Sequence, residues 1–246
     1  MTAISRQALV TGGTDGVGRA VVRRLAREGH RVLAVYGNDD AGRNAAEREF
    51  TEAHLAVSFE RVDVSQSAQV TALFERLAEQ DRSPEFLVNA AGLTLEGPIG
   101  VLAETAFDEV LDANLRATFL TCQQAIKAMA RRRFGRIVNF ASPAALLGSE
   151  GQTAEAAAKA GVLGLTRSLA NQVGLLGITV NAVLPGLVQT EGTAQLPVER
   201  LAALLRQTPL RRAGSADEIA GMVNMLCEDG ASYVTGQCLS IDGGLS

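Results

Sequence analysis

The chain has 246 residues, 47% of them hydrophobic and 20% charged, with a formal net charge of −4. That length suits one large α/β domain with a full core and is short for two. The acidic balance leaves no basic field for nucleic acid or anionic lipid, and no apolar run approaches the length of a membrane span.

Short apolar runs alternate with helical periods along the chain. The first strand, Gln7–Thr11, starts with no apolar leader ahead of it, and Val17–Glu28 has helical spacing through Val21, Val22, Leu25 and Ala26. Arg31–Tyr36 reads as a second strand, Ala41–Ala53 as an alanine-rich helix, and Ala56–Val64 as a third strand. Gln66–Gln80 is amphipathic, with Val70, Leu73, Phe74 and Leu77 on one face; Phe86–Ala90 is a fourth strand. Ala103–Arg132 is the longest helical stretch, stopped by Gly135, and Arg131-Arg132-Arg133 at its end complements the helix dipole. Ile137–Ala141, Gly177–Leu184 and Gln237–Ile241 supply three more strands, separated by helices at about 153–175 and 215–228. This alternation predicts one α/β domain over 1–246: a Rossmann-type, doubly wound parallel sheet of seven strands with helices on both faces.

Three cysteines (Cys122, Cys227, Cys238) are odd in number and never spaced as ligand pairs. They read as small core residues in a reducing compartment, and a cytoplasmic location is expected. His30 and His54 lie far from any Cys or carboxylate cluster, so no metal site is expected.

Ligands in such folds sit beyond the carboxyl ends of the strands. After the first strand comes Thr11-Gly12-Gly13-Thr14-Asp15-Gly16-Val17-Gly18, opening directly into a helix. Glycines let the backbone close on a diphosphate whose charge the helix N-terminus favours, although a tight strand-to-helix turn needs glycine without any ligand. An acid ending the second strand would bind a ribose 2′-hydroxyl and exclude a 2′-phosphate. The chain has Tyr36-Gly37-Asn38 there, and Asp39-Asp40 look like a helix N-cap, so the reading leans to NADP with NAD as the alternative. No Arg or Lys stands obviously ready for the phosphate, and Asp15 is a nearby negative charge.

The spacing Thr-Gly-x-x-x-Gly-x-Gly resembles the short-chain dehydrogenase/reductases, and further landmarks follow in that family's order. They are Asp63-Val64, Asn89-Ala90-Ala91-Gly92, Asn114 in the long helix, Ser142 after the fifth strand, and Lys159 before Ala160-Gly161. Pro185-Gly186-Leu187-Val188-Gln189-Thr190 and, near the end, Ser232–Gln237 and Asp242-Gly243-Gly244 complete the set. The resemblance spans essentially the whole chain and is greatest to bacterial 3-ketoacyl carrier-protein reductases and polyketide ketoreductases. It implies a coenzyme site at Gly12, Thr14, Asp15, Gly16, Val17, Gly18, Asn38, Asp63, Val64, Asn89, Ala90, Ala91, Gly92, Lys159, Pro185, Gly186, Val188 and Thr190. It also implies catalysis by Ser142, Lys159 and Asn114. Taken singly, Asn114 also suits a helix irregularity, Ser142 a helix cap, and Lys159 a solvated helix charge.

One departure stands out. The family keeps a proton-donating tyrosine four residues before the lysine, and this chain has Glu155 there. A phenol beside a lysine is a usable acid near neutral pH, whereas a carboxyl titrates far lower and is the better proton acceptor. Glu155 and Lys159 also suit a plain i,i+4 ion pair. Three functions follow: hydride transfer from NAD(P)H to a carbonyl, imine or quinone-like acceptor with an atypical proton source; isomerisation or dehydration with Glu155 as base; or a non-catalytic coenzyme-binding protein. The first ranks ahead because the rest of the site is kept.

Substrate choice resembles a matter for the segment after Pro185-Gly186. A lid at about 188–212 contains Val198–Leu205, whose Leu201, Leu204 and Leu205 suit either packing or an apolar substrate. With Leu146, Leu147 and Leu187 they point to an apolar or polyketide-like small molecule. The resemblance implies a homotetramer. Small residues Ala154, Ala157, Ala158, Gly161 and Gly164 suit close packing at such an interface or against the sheet.

Overall fold

Alternation within the apolar runs decides which side of the sheet each side chain takes. In the computed structural model, which describes residues 5–246, the chain runs through nine strands and ten α-helices. Residues 1–4 of the expected domain lie outside the described residues. The order is β1 (Gln7–Thr11), α1 (Gly16–Arg27), β2 (Arg31–Tyr36), α2 (Asp40–Glu52), β3 (Val57–Arg61), α3 (Ser67–Glu79) and β4 (Phe86–Asn89). There follow α4 (Glu104–Leu111), α5 (Ala117–Arg132), β5 (Gly135–Phe140), α6 (Ala144–Leu147), α7 (Thr153–Val173) and β6 (Ile178–Pro185). The last are β7 (Val188–Gln189), α8 (Glu191–Ala194), α9 (Val198–Gln207), β8 (Gly214–Ser215), α10 (Ala216–Cys227) and β9 (Cys238–Ile241).

Seven strands form one parallel sheet in the order β3-β2-β1-β4-β5-β6-β9, as the alternation predicts. Leu9, Leu87, Ile137 and Val180 form one continuous rung. They pack against Leu73 and Leu77 of α3 and Leu120 and Met129 of α5. One residue along, Val10, Val88 and Val138 face the other way, onto Val21 and Leu25 of α1 and Ile219 and Val223 of α10. The order in which successive strands are added reverses between β1 and β4, which opens a crevice at their carboxyl ends.

Two expected elements differ. The third strand stops at Arg61 rather than Val64, because the Asp63 carboxylate accepts from the amide and hydroxyl of Ser65 and turns the chain. The expected helix 103–132 is two helices joined by a π-helical turn, Asp112–Arg116, in which the Ala117 amide reaches the Asp112 carbonyl. Asn114 Nδ2 fills that irregularity by donating to the Val110 carbonyl at 2.9 Å. The sequence pattern did not predict β7 and β8, a two-residue pair that anchors the segment after β6. The start of α10 is a capping box between Ser215 and Glu218. Arg131 and Arg132 close α5, where Arg132 donates to the Ser83 carbonyl.

Candidate active site

The turns after β1 and β4 pack backbone to backbone. Gly12 has φ +65°, and a Cβ there would lie 2.8 Å from the Ala91 backbone, so only glycine fits. The Ala91 amide in turn donates to the buried Thr11 hydroxyl at 3.1 Å. Gly16, Val17 and Gly18 open α1, and a Cβ on Gly16 would come within 3.6 Å of the Thr190 methyl, so the segment after β7 overhangs the glycine turn. Buried Thr14 donates to the Asp39 carboxylate, and Asp39 caps α2 through the Gly42 amide, the N-cap that its sequence position suggests.

These turns border a cleft of about 680 Å³ lined by Gly12, Thr14, Asp15, Tyr36, Asp39, Asp63, Val64 and Ala90–Gly92. Val35, Val62, Val64 and Ala90 give it apolar walls. Its volume, the open side of the glycines and the helix N-terminus fit a dinucleotide. Asp15 takes the N-cap position of α1 without a side-chain capping bond, and burial raises its carboxyl, with Asp39 and Glu191 adding to the rise against its own backbone hydrogen bond. Asn38 is absent from the cleft lining though its neighbours Gly37 and Asp39 belong to it, and it stands beside a cation that sequence spacing did not reveal. Arg61 pairs in register opposite Tyr36, donates to Asn38 Oδ1 at 2.8 Å, and stands 3.8 Å from Asp40.

At the other end of the cleft, Asn114 and Lys159 converge on Gly92. A Cβ there would sit 2.6 Å from Asn114 Oδ1 and 3.4 Å from Lys159 Nζ. Asn114 is buried and held by donation to the Leu93 and Val110 carbonyls, and Thr118 donates to its backbone carbonyl. Lys159, on α7, donates to the Phe140 carbonyl at 3.0 Å. Burial brings its ammonium down to about 8, against an opposing pull from Glu155. The i,i+4 ion pair expected of Glu155 and Lys159 does not form. Glu155 is 9% exposed and its Oε2 has no hydrogen-bond partner.

Ser142 follows β5 and accepts from the Ala144 amide at 3.2 Å in a local turn ahead of α6, whose N-cap position is Pro143. It also lines a second cavity of about 340 Å³, with Pro185, Gly186, Leu187, Leu147, Leu204 and Gln152. Gly186 is pressed against the Asp242 backbone, where a Cβ would come within 2.7 Å. The Asp242 carboxylate gathers the amides of Gly244, Leu245 and Ser246, which folds Leu245 into the cavity wall. Val188 is buried beside this loop, and Thr190 caps α8. Over the cavity, α9 is tied down by Arg200, bidentate to Glu96, which also accepts from Gln152.

Asn89 stands apart from both cavities. Its side chain joins Thr121, Asn139 and Thr166 in a buried chain of hydrogen bonds behind the sheet end. Its amide thus braces the site, and the cleft is reached by Ala90, Ala91 and Gly92 instead. Of the small residues on α7, Ala154 and Ala158 pack against Val110 and Gly161 against Leu115, while Ala157 and Gly164 are exposed. Cys122 and Cys227 are buried, with thiols pushed up to about 12. No helix among the described residues is long and apolar enough to cross a membrane.

Residues 12–246 match a family profile described as enoyl-(acyl carrier protein) reductase. Relatives along the full length include the 3-oxoacyl-(acyl-carrier-protein) reductases of Chlamydia trachomatis, 35% identical over 99% of this chain and 98% of the relative, and Pseudomonas aeruginosa, 36% identical over 100% and 99%. A crystal structure from Agrobacterium tumefaciens, provisionally assigned as a gluconate dehydrogenase, superposes with a TM-score of 0.94 at 33% identity, covering 98% of this chain and 95% of that one.

Proposed function

This chain belongs to the short-chain dehydrogenase/reductase family, and from that premise we propose that it is an NAD(P)H-dependent reductase delivering hydride to a carbonyl or related acceptor without a phenolic proton donor. The observation that carries this reading is the convergence of Asn114 Oδ1 and Lys159 Nζ on Gly92, in the wall of the dinucleotide-sized cleft. When bound there, the reduced nicotinamide supplies a hydride. The chain's own residues do the rest. The Ser142 hydroxyl, at the mouth of an apolar cavity, polarises the acceptor. The Lys159 ammonium, near 8, holds ribose hydroxyls and feeds a proton towards the site through water held between it and Asn114.

NADPH is the favoured coenzyme in this reading. Gly37 and Asn38 place no acid at the end of β2, and Arg61 offers a guanidinium beside Asn38. Of the carboxylates that follow, Asp39 is engaged by Thr14 and Gly42, and Asp40 stands 3.8 Å from Arg61, where it competes with a phosphate. Residues 188–212 act as a lid over an apolar small molecule, with Leu187 and Leu204 on the cavity wall. Exposed Phe119 on α5, together with Ala157 and Gly164 on α7, supports assembly as a homotetramer through these helices. A cytoplasmic location accompanies the reading, because the cysteines are all free.

Incubation with stereospecifically deuterated NADPH and a panel of ketones and imines tests the proposal. Label in a reduced product supports it; its absence from every product rejects it.

A further inference from the structure

Gln152, Glu155 and Lys159 share one face of the α7 segment, Gln152 at the wall of the Ser142 cavity and Lys159 at the Phe140 carbonyl. Along the helix Glu155 therefore lies between Gln152 at the substrate cavity and Lys159 near the cleft, behind the residues that line the two cavities. Ala154 and Ala158, on the flank of the same helix, pack into the cluster with Val110. The Glu155 side chain is nine-tenths buried, and Oε2 has no donor within hydrogen-bond distance. A buried carboxylate oxygen without a donor is costly, and Lys159 makes no hydrogen bond to it, its Nζ donating to the Phe140 carbonyl instead. The chain's two tyrosines are elsewhere: Tyr36 at the far end of the cleft and Tyr233 fully exposed.

Reduction of a neutral carbonyl builds negative charge on oxygen, which a neighbouring carboxylate opposes and which only an added proton relieves. Reduction of an iminium ion has neither problem. We propose that the Ser142 cavity takes a protonated C=N group, an iminium carried on an apolar ring, with Glu155 as its counter-charge. This rests on the hydride-transfer reading above. One C–H bond forms at the iminium carbon with the two electrons of the hydride, and the C=N π pair withdraws onto nitrogen. The cation becomes a neutral amine, the dihydronicotinamide becomes oxidised nicotinamide, and no proton is consumed in the step. Glu155 accepts the N–H of the bound iminium and favours its charged, electrophilic form. Leu147, Leu187 and Leu204 surround the carbon skeleton.

The test uses the full chain. Binding of NADPH is measured first by fluorescence, and the NADPH complex is then titrated calorimetrically with tetrahydroisoquinoline, a cation that cannot accept hydride, and with isochroman, its neutral oxygen counterpart. The amine should bind about tenfold or more tightly than the ether, and E155Q should erase that difference. Wild type should reduce protonated 3,4-dihydroisoquinoline and turn over 2-tetralone about 100-fold more slowly or worse. Equal binding of the two probes by wild type overturns the proposal even if E155Q does not fold. Coenzyme binding with reduction of tetralone but no preference for the amine leaves hydride transfer standing and removes the iminium. Failure to bind either nicotinamide coenzyme removes both.

Discussion

Glu155 and Lys159 stand one turn apart on α7 in the order that favours an ion pair, yet Lys159 donates to Phe140 and Glu155 Oε2 has no partner. One helix thus carries an ammonium and a carboxylate that are not hydrogen-bonded to each other. The cause is tertiary: β5 ends with its Phe140 carbonyl within reach of Lys159 Nζ, and a buried ammonium takes that acceptor.

The pH response of Lys159 follows from its burial. Its ammonium titrates near 8 in the fold against 10.5 free, so the unfolded chain holds the proton more tightly between those values. This group's contribution therefore makes the fold more stable as pH rises from about 8 to about 10.5, and its penalty is complete below 8. Urea titrations at several pH values should show that slope in wild type and not in K159M. Coenzyme affinity should fall as pH rises through about 8, where the cation is lost; an affinity that stays flat to higher pH contradicts the role.

Restoring a phenol should restore ketone chemistry. E155Y places a proton donor four residues before Lys159, and a positioned acid is worth about 100-fold or more in rate. Turnover of 2-tetralone by E155Y should exceed that of wild type by about that factor, measured as NADPH oxidation. No gain in a variant that folds and binds NADPH would mean that Glu155 does not face the acceptor.

Arg61 should govern coenzyme choice. A guanidinium–phosphate contact at this half-exposed site is worth about tenfold in affinity. R61A should weaken NADPH by about that much and leave NADH nearly unchanged, and the preference should shrink further with added salt. Parallel fluorescence titrations read it directly; equal losses for both coenzymes would remove Arg61 from 2′-phosphate recognition.

Gly12 is the position where a single methyl group should do most harm. G12A sets a Cβ at a positive φ and against the Ala91 backbone, at a cost of about 1–3 kcal/mol in strain before any loss of ligand. Thermal melts should show a destabilised fold that NADPH no longer stabilises. Normal coenzyme-induced stabilisation in G12A would place the diphosphate elsewhere.

The Asn139 amide is a stability element behind the site. N139A leaves Asn89 Nδ2 with only the Cys122 thiol and deprives the Thr166 hydroxyl of its donor in a buried layer, at a cost of about 1–3 kcal/mol in urea unfolding. A loss below about half of that would mean water replaces the amide.

Residues whose role is local were legible in the sequence. Gly12 needs positive φ in a strand-to-helix turn, Asp39 caps the helix it precedes, and the Leu9, Leu87 and Ile137 positions show their strands by composition alone. Arg61 was not legible, because its meaning lies in the β2–β3 register that sets it opposite Tyr36. Asn89 matched a coenzyme motif, but strand parity turns its amide towards Thr121 and Asn139.

The order of strands and helices, the glycine turn and the exchange of tyrosine for glutamate are properties of the sequence itself, because periodicity, backbone freedom and residue chemistry are read along one chain. Which partner each polar group takes was decided only by folding. Lys159 chose a carbonyl nineteen residues away over a carboxylate one turn away, because in a desolvated interior a hydrogen bond forms where the acceptor is placed, and sequence distance has no say in that placement.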